Sequence, residues 1–144
     1  MRSSFRSLAV GCTAALVIAT VGCTKDATPS TPTGPTSPVT ETFSGTLQPS
    51  GEAFYAFGMA QSGDVALTLI SVTGSSVPSD ALFPLGLGVP VGTGCTASVD
   101  SAVTPGATPQ YTVQKASGIY CVRIADNARL GAAANFVLNI THPR

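Results

Sequence analysis

Few side chains in this 144-residue chain carry chemistry, and their spacing narrows what they can do. The only histidine, His142, stands in a closing Thr-His-Pro-Arg that is expected to fray. Nucleophilic hydrolysis needs a serine or cysteine beside an oriented base, and no Gly-x-Ser-x-Gly occurs. Glycoside hydrolysis needs two carboxyl groups facing each other across a cleft, whereas Glu52, Asp64, Asp80, Asp100 and Asp126 are scattered singly. Gly86, Gly88, Gly92 and Gly94 make no phosphate cradle, since neither a lysine nor a helix pattern follows them. Calcium would need clustered loop oxygens. There is no Asp-x-Asp, so Asp80, Asp100 and Asp126 would have to be gathered by the fold, and calcium stays open as an alternative. The chain therefore reads as non-enzymatic, with no metal site and no cofactor expected. The cysteines, Cys12, Cys23, Cys95 and Cys121, include no Cys-x-x-Cys pair of the kind that binds zinc or exchanges disulfides.

Cys12 lies within a leader and Cys23 directly follows it. Arg2 and Arg6 precede a charge-free run, residues 8–22, that is too short and too interrupted by Gly11, Thr13 and Thr20 to span a bilayer. This is signal-peptide geometry, yet no Ala-x-Ala cleavage site lies between residues 15 and 28. Instead Val21-Gly22-Cys23 resembles the junction of a bacterial lipoprotein signal. The resemblance implies cleavage of residues 1–22 and attachment of diacylglycerol to the Cys23 thiol. Two or more fatty acyl chains, such as palmitate, hold a protein on a membrane where one would not. A cut before Cys12 would leave only a few apolar residues upstream, so Cys23 is the expected lipidation site. Thr24 stands where enteric lipoproteins of this resemblance carry an inner-membrane retention aspartate, so the outer membrane is expected in a two-membrane cell.

Export also decides the other two thiols. With Cys12 lost and Cys23 lipidated, Cys95 and Cys121 remain as a pair in an oxidising compartment, where a disulfide forms and persists. Because Cys121 alternates with the inward Tyr120 and Val122, the bond is expected on an outer face or sheet edge rather than in the core.

These features need a scaffold. Charged residues make up 10% of the chain and sum to zero, against about 25% in ordinary domains. No basic stripe is present to bind nucleic acid. Residues 27–40, ATPSTPTGPTSPVT, offer proline, serine and threonine without apolar surface, so residues 23–41 are expected to form a lipidated, disordered tether. From residue 42 to 144 the pattern becomes short β-branched and aromatic runs separated by glycine and proline turns. It predicts eight strands, at 42–48, 53–59, 64–72, 84–91, 95–99, 110–115, 119–124 and 134–141, with no convincing helix. Alternation turns Leu85, Leu87, Val89 and Val91 inward, along with Tyr120, Val122, Ile124, Phe136, Leu138 and Ile140. Phe43, Leu47, Phe54, Val65, Leu67 and Leu69 complete the expected core. Pro84 and Pro90 point to an edge or bulged fourth strand. With Phe54 inward, Tyr55 is left as the candidate exposed platform for a ligand.

The run Phe43-Ser44-Gly45-Thr46-Leu47, followed by Phe54-Tyr55-Ala56-Phe57, Gly63-Asp64-Val65-Ala66-Leu67-Thr68-Leu69, Gly118-Ile119-Tyr120-Cys121-Val122-Arg123-Ile124 and Asn135-Phe136-Val137-Leu138-Asn139-Ile140, resembles the bacterial pre-peptidase C-terminal domain. The resemblance covers residues 42–141 and implies an all-β, antiparallel sandwich of jelly-roll type. A membrane-anchored surface lipoprotein presenting that sandwich to an envelope or extracellular component is the expected function. The alternative is a module that binds a glycan or a matrix protein, with or without calcium.

Overall fold

In β1 (Val39–Leu47) shielded and exposed residues alternate along the strand, the two-residue period of a half-buried strand. The computed structural model describes residues 37–144; the leader, Cys23 and most of the tether lie outside them. Seven more strands follow: β2 (Glu52–Met59), β3 (Gly63–Thr73), β4 (Phe83–Val91), β5 (Gly94–Val103), β6 (Tyr111–Lys115), β7 (Gly118–Ala125) and β8 (Ala134–His142). They build two four-stranded antiparallel sheets, in the orders β1-β8-β3-β6 and β2-β7-β4-β5. With eight strands wound into two packed sheets in this order, the domain is a jelly roll. No helix occurs among the described residues.

Between the sheets, Leu47, Phe57, Met59, Val65, Leu67, Leu69, Phe83, Leu85, Leu87, Val122, Ile124, Phe136, Leu138 and Ile140 form one apolar core. The outer side of the first sheet is polar and uncharged where β1 meets β8. There Thr40 bonds Thr141 at 2.8 Å, Thr42 donates to Asn139 at 2.8 Å and Thr46 donates to Asn135 at 3.0 Å. Such cross-strand pairs fix register while keeping the face wet.

The pairings define two poles. At one, Val39 lies opposite His142, Gly63 opposite Lys115 and Met59 opposite Gly118, with the β4–β5 turn nearby. The chain enters the sandwich here. The far pole gathers the β1–β2, β3–β4, β5–β6 and β7–β8 connections.

Four expectations change. The sheet takes in Val39, Thr40 and Glu41, which the sequence assigned to the tether, because β8 runs far enough to pair with them. For the same reason His142 does not fray: it ends β8 and is 2% exposed. β4 is an interior strand, lying between β7 and β5, so of the two readings that its prolines offered, edge or bulged, only the second is met, by the register shift between Leu87 and Gly88 against β5. Its prolines are tolerated because Pro84 and Pro90 both fall outside residues 85–88, the stretch paired to β7. Finally, Val89 and Val91 are 49% and 59% exposed rather than buried. They keep the alternation of Leu85 and Leu87, but beyond Gly88 the hairpin leaves β7 and has no sheet beneath it.

Candidate functional site

Two bridges cross the outer face of β4. Cys95 on β5 and Cys121 on β7 are disulfide-bonded with Cα atoms 5.8 Å apart, although β4 lies between those strands. Next along, Arg123 of β7 pairs with Asp100 of β5, and with Glu52 of β2 at 3.2 Å. Both crossings depend on glycine. Gly88 lies opposite Cys121, and a Cβ there would stand 1.8 Å from the Thr96 carbonyl oxygen. Gly86 lies opposite Arg123, and a Cβ there would stand 2.8 Å from the Ala97 methyl and 3.0 Å from the Val99 carbonyl. A register shift beside Leu87 and Gly88 bends β5 over this bare strip. The disulfide thus sits on the outer side, as Cys121's place in the alternation requires, and the folded hairpin buries Cys121 without adding it to the core.

Asp126 is a polar joint at the far pole, 6% exposed. Its carboxylate accepts the Ser50 N–H at 2.8 Å, the Arg129 N–H at 2.9 Å and the Leu130 N–H at 3.2 Å, while its own N–H donates to Gly51 at 2.9 Å. Burial works against ionisation, but the backbone donors outweigh it and hold the carboxyl below its ordinary range. The joint fixes two residues with left-handed backbone, Ser50 and Ala128, so it ties the β1–β2 turn to the β7–β8 loop. Of the other two acids weighed for calcium, Asp100 is paired with Arg123, and Asp80 is exposed in the β3–β4 connection. No group of three or more His, Cys, Asp or Glu side chains is arranged to hold a metal among the described residues.

Beside this joint the far pole opens into a groove of about 460 Å³ between the β3–β4 and β5–β6 connections. Val72, Val77, Pro78 and Phe83 give it apolar walls, and Thr73, Ser79 and Thr104 supply hydroxyls. Gln110 holds one wall. Its side chain accepts from Leu69 N–H at 2.7 Å and donates to the carbonyls of Leu69 and Thr104 at 3.3 Å, extending the ladder past the end of β6. No lining side chain titrates near neutral pH.

His142 lies at the opposite pole. Its Nδ1 is 2.7 Å from the Pro143 carbonyl and its Nε2 is 3.1 Å from a Glu41 oxygen, with the ring 4.9 Å from that of Phe57. A carbonyl only accepts, so Nδ1 donates to Pro143 while Nε2 faces the Glu41 carboxylate. The ring is a structural wedge, not a base facing a cleft.

The sequence chose the wrong member of the aromatic pair on β2. Tyr55 packs inward against the core, 4.6 Å from the Phe43 ring, and its hydroxyl donates to the Ser44 carbonyl at 3.1 Å. Phe54 points outward and is 38% exposed. The decisive signal is Gly45: a Cβ there would meet the Tyr55 hydroxyl at 2.7 Å, so the glycine makes the space that lets the phenol lie inside. Cys23 lies outside the described residues.

No family model matches the chain, and no curated protein matches it. Among solved structures, a similar one is the crystal structure of the Yersinia pseudotuberculosis-derived mitogen YPM. It is 20% identical, with a TM-score of 0.49, and the match covers 73% of this chain and 86% of that one.

Proposed function

We propose that this protein is an exported lipoprotein, anchored by acyl chains on Cys23, whose jelly-roll domain works by contact rather than by turnover. The observation that carries the reading is the Val21-Gly22-Cys23 junction at the end of a charge-free run that follows Arg2 and Arg6. The domain is in keeping with it. The chain enters the sandwich at the pole of Val39, and the groove opens at the opposite pole, away from where a membrane would lie. The groove's threonine and serine hydroxyls and apolar walls suit an uncharged partner surface, and its lining offers no acid, base or nucleophile–base pair. A closed Cys95–Cys121 disulfide accords with an oxidising compartment.

The test is metabolic labelling with an alkynyl fatty acid, followed by fractionation. The native chain should take up label and sediment with membranes, in the outer-membrane fraction of a two-membrane cell. Cys23→Ser should lose both label and sedimentation. Label that persists in Cys23→Ser would overturn the reading.

A further inference from the structure

At the pole where the tether enters, Asp64, Lys115 and Arg144 supply charges, but the surface around the β4–β5 hairpin is apolar and has no role in the reading so far. Three of the large hydrophobic side chains exposed on the domain belong to it: Val89 and Val91 on the β4–β5 hairpin, and Ile119 near the start of β7, 68% exposed. The pairing register places all three at this end of the sheet, Val89 and Val91 on the side that Leu85 and Leu87 face and Ile119 on the side that Cys121 faces. Gly88 is the last β4 residue paired to β7, opposite Cys121, and both strands run on from there toward the pole that holds Val39 and His142. No charged residue occurs in residues 83–99, so the whole hairpin tip, Val89-Pro90-Val91-Gly92-Thr93-Gly94, is neutral. The disulfide and the bend of β5 over Gly88 anchor the base of that hairpin, from which the tip runs on past β7.

We propose that this hairpin is a membrane-contact element, which seats the domain on the lipid interface with its far-pole groove turned outward. The inference rests on the lipid-anchor reading. What selects a bilayer over another occupant is where the chain outside the described domain leads. The fourteen chain steps from Cys23 to residue 37 span about 20 Å as a flexible coil and at most about 50 Å fully extended, so an acylated Cys23 holds this pole closer to the membrane on average than the groove at the other end. A few valine and isoleucine side chains bind lipid weakly alone. Tethering turns that weak contact into an intramolecular one at high effective concentration. The result is an orientation device: two points of contact, one covalent and one apolar, fix which face looks outward.

Every residue of the core lies within residues 47–140, so a chain beginning at Thr24 contains the complete sandwich. The experiment attaches this chain through an N-terminal hexahistidine tag to vesicles of phosphatidylethanolamine and phosphatidylglycerol that contain a nickel-chelating lipid. An environment-sensitive fluorophore is placed at Thr93→Cys on the hairpin turn or, as a control, at Ser75→Cys on the far pole. On vesicles the Thr93 probe should shift to the blue and be shielded several-fold from aqueous iodide. The Ser75 probe should not change, and Val89→Asp with Val91→Asp should restore quenching at Thr93. A Thr93 probe quenched as freely as the Ser75 probe on vesicles overturns the proposal. So does a Thr93 probe already shielded before vesicles are added, which would show that a second copy covers the hairpin. Because the chelated tag replaces the acyl anchor, this outcome is independent of the Cys23→Ser labelling, and failure of one is distinguishable from failure of the other.

Discussion

Replacing Asp126 with alanine removes the one carboxylate that holds three backbone donors across two loops. A buried donor left without a partner costs about 1–3 kcal/mol. The three are not equally sheltered: Ser50 and Arg129 belong to exposed residues and can be rescued by water, whereas the Leu130 N–H is buried. The left-handed backbone at Ser50 and Ala128 also loses what fixes it. Together these give a loss of about 2–4 kcal/mol, a large share of the 5–15 kcal/mol that holds a typical domain folded. With a urea slope of about 2 kcal/mol/M the midpoint should fall by about 1–2 M. Asp126→Asn keeps one accepting oxygen but aims an NH2 at the other donors, so it should fall between wild type and alanine. The pH dependence has a definite sign. The folded carboxyl is depressed below the unfolded value of about 3.9, so its contribution is complete above that value and disappears as pH falls through the lower folded value. The gap between wild type and Asp126→Asn should therefore be constant near neutrality and close in acid. Urea unfolding of the disulfide-intact chain, followed by tyrosine fluorescence at pH 7 and in acid, reads both effects. Coincident midpoints for wild type and Asp126→Ala at pH 7, or a gap that widens on acidification, would refute the reasoning.

The bridges over β4 make two further predictions. Cys95→Ser with Cys121→Ser opens a loop with a sequence separation of 26 and should lower stability by about 3.5 kcal/mol, while the unreduced native domain should show no titratable thiol from this pair after denaturation. Gly88→Ala puts a methyl into the Thr96 carbonyl and should lower the melting temperature sharply, whereas Gly58→Ala, with nothing within 4 Å of its Cβ, should be neutral or raise it slightly; equal melting temperatures for the two variants would contradict the crossing geometry.

How much of this was readable in advance depends on how local the determinant is. The eight strands stood out because alternation and glycine or proline turns are properties of a few neighbouring residues, and β3, β7 and β8 fall within a residue or so of expectation. The sheet order was not carried by spacing, since pairings such as Thr40 with Thr141 join residues 101 apart. Val89 and Val91 show the limit of alternation: it names a side of the strand but not where the opposing sheet ends. His142 was misplaced because its partners, Glu41 and Phe57, come from the other end of the chain. Tyr55 and Phe54 were reversed because the deciding features, the space left by Gly45 and the Ser44 carbonyl, lie on β1 in the opposite sheet. Gly86 and Gly88, dismissed as a phosphate loop, carry meaning only once a strand is known to pass over them.

The strand that lies beneath the Cys95–Cys121 bond sets an order of events for a newly exported chain. The native bond spans β4, so it can close correctly only after β4 is in place, with β7 on one side and β5 folded over it. The pairing of β4 with β7 is itself a late contact, joining residues as distant as Leu85 and Ile124 after their loops have closed. A bond closed earlier would span a strand not yet placed. The bond is therefore a seal set on a finished sandwich rather than a guide toward one, and the timing of thiol loss during refolding follows the arrival of β4 between its neighbours.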